Sequence, residues 1–187
     1  MEKYNIYKRH LRDLTIELVS NPGLLTIDIG RRFSSLQFLR KNNNIIKYAL
    51  SIGGILTGSR ALRCYKYEDR FLLDRSVNDF DIMITENMMF KIADKFGYSY
   101  NLIDKVILIE SDRWCSYNSY SSTPTRLLSN DINLIISDEL EECNLIDGVR
   151  ISKFLNILNS KMVLGSTKHM EDISNIVTRV NSIKLDE

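Results

Sequence analysis

The chain changes hydrophobic period between its first twenty residues and residues 79–84, and that change restricts the fold more than any other feature. Tyr4, Tyr7, Leu11, Leu14 and Leu18 recur at spacings of three and four, as on a helix with one apolar face. Asp79-Phe80-Asp81-Ile82-Met83-Ile84 alternates instead, as on a strand with one face toward a core. A chain carrying both periods is neither all-helical nor all-β. The expected class is α+β: a small mixed β-sheet with helices packed on one side, plus N-terminal helices.

The remaining segments fill in that plan. The spacing predicts a helix over residues 3–19, broken at Asn21-Pro22-Gly23, and a second helix over 24–39. A turn at 41–44 precedes a short helical stretch at 45–50. Short strands are expected at 54–57, 79–84, 105–110 and 131–136, with a brief helix at 60–64 and a long polar loop at 65–78. Helices are expected at 86–96, with Met89, Ile92, Ala93 and Phe96 inward, and at 168–183. Another runs to Leu164 from an N-cap at Ser152, just after a strand or hairpin around Asp147-Gly148. Residues 111–126, rich in Ser and Tyr, read as a loop. Length suits one compact unit, with residues 1–50 as a helical segment packed on a core domain of residues 51–187.

Composition closes off several function classes. No apolar run approaches the roughly 20 residues that cross a bilayer, and the charged start does not resemble a signal peptide, so a cytoplasmic protein with no membrane partner is expected. Cys64, Cys115 and Cys143 stand far apart and only two histidines occur, which argues against a disulfide framework or a zinc knuckle. The net charge of +1 conceals a division, because residues 1–47 carry nine Lys/Arg against four acids. That basic quarter is either a phosphate-contacting surface for nucleic acid or an ordinary solvated helix face.

Chemistry concentrates around two short segments. Residues two apart on a strand face the same way, roughly 6.5–7 Å between Cα atoms, so Asp79 and Asp81 share a face. Two carboxylates in one small volume call for a cation, and hard oxygens suit Mg²⁺ or Mn²⁺. Gly58-Ser59, at the end of the preceding strand, either brings backbone N–H groups close to a phosphate, with Ser59 and Arg60 adding a hydroxyl and a charge, or is a simple turn and cap. Asp131 offers a third carboxylate if its strand neighbours 79–84. Asn133 lies on the same side as Asp131, and the sequence leaves open which of the two reaches the site.

Taken in order, GGILTGSR at 53–60, NDFDIMI at 78–84 and DINLII at 131–136 resemble the fingerprint of the DNA polymerase beta-type nucleotidyltransferase superfamily. Asp147-Gly148-Val149-Arg150-Ile151, then Ser160-Lys161, then Lys168-His169-Met170-Glu171-Asp172-Ile173 resemble the C-terminal run of many small prokaryotic and phage members, so the likeness spans roughly residues 53–176. It implies a Mg²⁺-dependent transferase that binds ATP or another NTP and moves its NMP to an acceptor: a protein hydroxyl, a tRNA or RNA end, or a small molecule. Asp79, Asp81 and Asp131 would be the metal-binding and catalytic acids. Gly58, Ser59 and Arg60 would hold phosphates, and Lys161 would either reach the triphosphate or pair with an acid. The chain departs from the pattern in a longer gap before Asp79, in Asn78 where Ser is frequent, and in the ambiguous third acid. Loss of that acid is how pseudo-enzymes of this fold arise, so the alternatives are a binding or regulatory protein, antitoxin-like or host-interacting, and a nucleic-acid-binding protein.

Two lesser candidates complete the reading. His169 stands one helical turn from Asp172, within reach of a hydrogen bond. Trp114, Tyr117 and Tyr120, flanked by Arg113 and Arg126, either stack on a base or tuck onto the sheet.

Overall fold

The computed structural model describes residues 9, 11–16, 18, 20, 22–29, 43–77, 79–97, 99–101, 106–109, 113–116, 125–128 and 132–185. Both secondary-structure types are present, so the α+β class holds. The chain divides into two compact units: Met1–Ser35, Ala61–Ser76 and Lys153–Glu187 form one, and Leu36–Arg60 with Val77–Ser152 form the other. A cut at residue 50 falls inside the second.

In the first unit, residues 11–16 are helical and Leu11, Leu14 and Leu18 are buried, as their spacing predicts. Tyr4 and Tyr7 lie outside the described residues. The helix expected at 24–39 is corrected at its start: Leu25–Ile27 is a strand, β1, because β-branched Thr26 and Ile27 find a partner in β3 (Tyr65–Tyr67), with Leu25 opposite Tyr67. The loop expected at 65–78 is also corrected. β3 turns through Glu68 and Asp69, both at positive φ, into β4 (Arg70–Phe71), and Tyr65, Tyr67, Leu72 and Leu73 are almost wholly buried. Tyr65 packs on Phe154 with ring centroids 5.2 Å apart.

That phenylalanine opens α4 (Phe154–Leu164), which packs against α5 (Thr167–Leu185). Ser152 does not cap α4. It is the buried last residue of a strand, and Lys153 is the cap position, with no side-chain hydrogen bond. Between α4, α5 and the segment after β4 lies an ionic cluster. Asp172 accepts from Arg75 Nε at 2.6 Å and Nη2 at 2.8 Å, and from Lys161 Nζ at 2.8 Å.

The second unit is built on a six-stranded sheet. It comprises β2 (Ile55–Thr57), β5 (Phe80–Ile84), β9 (Thr125–Leu128), β10 (Ile132–Ile136), β11 (Cys143–Ile146) and β12 (Val149–Ser152), in the order β11-β12-β2-β5-β10-β9. β5 runs antiparallel to β2 and parallel to β10. Burial alternates along β5, with Phe80, Ile82 and Ile84 inward and Asp81 and Met83 half-buried, as the period of two requires. All five residues of β10 are buried, as in a strand covered on both faces; it lies between β5, to which it is parallel, and β9, to which it is antiparallel. Helix α1 (Asn43–Ser51) packs on β5 and against α3 (Glu86–Phe96), where Tyr48 meets Phe96 edge-on at 5.8 Å. Gly54 permits this closeness, because a Cβ there would stand 2.6 Å from the carbonyl oxygen of Ala49.

Thr85 caps α3 by accepting from the N–H of Met88, and Gly97 ends it in the left-handed region, so residues 86–96 match expectation. The stretch expected as a Ser- and Tyr-rich loop instead carries β8 (Arg113–Ser116) and β9; β6 (Ser99–Asn101), β7 (Val106–Ile109) and β8 make a further antiparallel sheet.

Candidate functional site

The site begins where β2 ends. Thr57 lies opposite Asp81 in the antiparallel register, and Gly58 turns the chain into the short helix α2 (Gly58–Leu62) with φ of +63°. The turn brings its backbone against Asp81, and a Cβ at position 58 would overlap that carboxylate. Glycine is required there for two reasons: the left-handed backbone, and the close approach of a charged side chain.

On the other side of β5, the parallel register sets Asn133 beside Asp81. The Asn133 amide Nδ2 donates to Asp81 Oδ1 at 2.6 Å. Asn133 is 6% exposed, and its Oδ1 is a buried acceptor with no hydrogen-bond partner among the described residues. Asp81 is therefore held from both flanks, by the glycine turn on β2 and by an amide on β10. Of the two candidates at the start of the third strand, Asn133 reaches Asp81, and Asp131 lies outside the described residues.

Asp79 stands one residue before β5 and is half-buried. Its backbone carbonyl accepts from Arg60 Nε at 3.2 Å. The Arg60 guanidinium also sits 4.2 Å over the Phe80 ring and is only 4% exposed. A guanidinium keeps its charge at any working pH, so this buried cation favours nearby negative charge while it ties the start of β5 to the Gly-Ser turn. Ser59 is buried at 7% exposure. Among the described residues no three His, Cys, Asp or Glu side chains group as a metal centre.

Lys161 lies in the other unit, and its ammonium pairs with Asp172. Burial alone would raise the Asp172 carboxyl, but hydrogen bonds from Arg75 and Lys161, with their charges, outweigh it and hold the group below its ordinary value of 3.8. Of the other residues singled out, His169 places its backbone N–H 3.4 Å from Ser166 Oγ. The side chains of Arg113, Trp114 and Arg126, and Tyr117 and Tyr120 altogether, lie outside the described residues. Neither Cys64 nor Cys143 is in a disulfide among the described residues. The sequence leaves Asn133 and Asp131 as alternatives and gives no sign of Arg60 as a clamp on Asp79; what favours Asn133 is its place two residues into a strand that pairs in parallel.

No protein-family model, curated protein or solved structure matches this chain.

Proposed function

We propose that the second unit carries a divalent-cation-dependent nucleotide site of the nucleotidyltransferase type, transferring an NMP from an NTP to an acceptor. The observation that carries this reading is the Asp81 carboxylate, pressed on the Gly58 turn and bound by Asn133 at 2.6 Å, with Asp79 two residues before it.

The donor set fits a hard cation. Asp79 and Asp81 supply carboxylate oxygens, and the buried Oδ1 of Asn133 supplies a neutral one. When bound, such a cation supplies neutralisation of triphosphate charge, the main requirement of phosphoryl transfer. The chain's own residues do the positioning. Gly58 leaves room for the Asp81 carboxylate, Asn133 fixes its orientation, and Arg60 holds the backbone at Asp79.

The test is incubation with each α-labelled NTP, Mg²⁺ and cell extract, followed by identification of the labelled product. Asp79→Asn combined with Asp81→Asn is expected to abolish labelling while the circular dichroism spectrum stays unchanged. A second reading, nucleotide binding without turnover, is favoured by one observation: the group set against Asp81 from β10 is an amide rather than a carboxylate. Thermal stabilisation by Mg²⁺ and NTP with no labelled product would select it. Neither stabilisation nor labelling would refute both.

A further inference from the structure

We infer that Asn133 confines this site to a single divalent cation, an inference that rests on the cation-dependent reading above. The register places residue 133 directly beside Asp81, and the amide spends one N–H on Asp81 Oδ1 at 2.6 Å. An amide is neutral over the whole working pH range, so among the described residues the site offers two carboxylates, Asp79 and Asp81, with the Arg60 guanidinium nearby, and one M²⁺ is enough to neutralise them. A carboxylate at the same position would set two negative oxygens at about hydrogen-bond distance. That pair is tolerated only by taking up a proton or a second cation.

Burial sharpens the point. Asn133 is 6% exposed and its Oδ1 has no partner among the described residues, so a desolvated, neutral oxygen is held beside Asp81. A hard cation satisfies such an oxygen, which adds no negative charge of its own, whereas an unpaired buried acceptor is costly. Asn133 thus acts as a neutral third donor and as the positioning residue for Asp81. The competing arrangement makes Asp131 a third carboxylate of a two-cation site.

Titration of the full-length chain with Mn²⁺, with free ion followed by electron paramagnetic resonance and no nucleotide present, separates the two. The wild type is expected to bind one Mn²⁺, Asp81→Asn to lose it, and Asp131→Asn to leave the count at one. Asn133→Asp is expected to take up a second ion, or to bind the first at least about tenfold more tightly, because added ligand charge raises affinity. Should Asn133→Asp fail to fold, the wild-type count and Asp131→Asn still decide the matter. Two ions on the wild type, a count that falls in Asp131→Asn, no ion at all, or a folded Asn133→Asp that binds like wild type would each overturn the inference. A one-ion protein that never transfers a nucleotide upholds it while refuting the transferase. A two-ion protein that transfers does the reverse.

Discussion

At the scale of single residues, the account depends on Gly58 and Asp81 being packed as one object. Alanine at position 58 meets a left-handed backbone, which costs about 1–2 kcal/mol, and must also displace the Asp81 carboxylate. Gly58→Ala should therefore lower the midpoint of thermal unfolding and erase any stabilisation by Mg²⁺ and NTP. In an Asp81→Ala background the same change should cost less, since the overlap has gone. Equal costs in the two backgrounds would show that residues 58 and 81 do not touch. The sequence points to Asp79 and Asp81 through their spacing; β5 begins at Phe80, so the strand's period of two sets the face of Asp81 alone. It does not reveal which residue of the third strand faces them, because that depends on pairing register, a non-local property. The register with Ile132 opposite Phe80 is what sets Asn133 beside Asp81.

At the scale of elements, the Asp172 cluster ties the segment after β4 to α4 and α5. Removing the acid leaves the Lys161 ammonium, 5% exposed, deprived of this partner, and Asp172→Ala should cost roughly 3 kcal/mol, toward the lower end for broken buried pairs because Arg75 is 30% exposed. Asp172 has its pKa depressed in the folded state, so its stabilisation is complete above 3.8 and is lost as pH falls through the lower folded value. Acid unfolding of the wild type should steepen below about pH 4, and Asp172→Asn should remove that part of the curve. An unchanged acid limb in Asp172→Asn would contradict the assignment. Two hairpins show why some elements were readable and others not. Asp147-Gly148, at φ of 48° and 77°, joins β11 to β12 with a residue pair that tolerates two left-handed positions well, so the hairpin alternative holds there. Glu68-Asp69 adopts the same hand at 46° and 60° with no glycine to announce it, so the sequence of β3 and β4 carries no hairpin signal.

At the scale of the whole molecule, the two units interleave along the chain. The first unit draws β1 from before residue 30 and pairs it with β3, reinforced by a 2.7 Å ion pair between Asp28 and Lys66. A fragment of residues 51–187 should accordingly expose the surface that Leu11, Leu14, Leu18 and Ile29 cover, bind a hydrophobic dye and lose cooperative unfolding. A cooperative fragment as stable as the full chain would show that residues 1–50 are dispensable. No helix among the described residues is long and apolar enough to cross a membrane. The most direct measurement of the central claim is a crystal structure of the full chain grown with Mn²⁺ and a non-hydrolysable NTP analogue, phased to show anomalous scattering from manganese. The account predicts a peak within coordination distance of an Asp81 carboxylate oxygen, with the triphosphate beside it. Analogue or metal bound elsewhere, with Asp81 contacting neither, would contradict it.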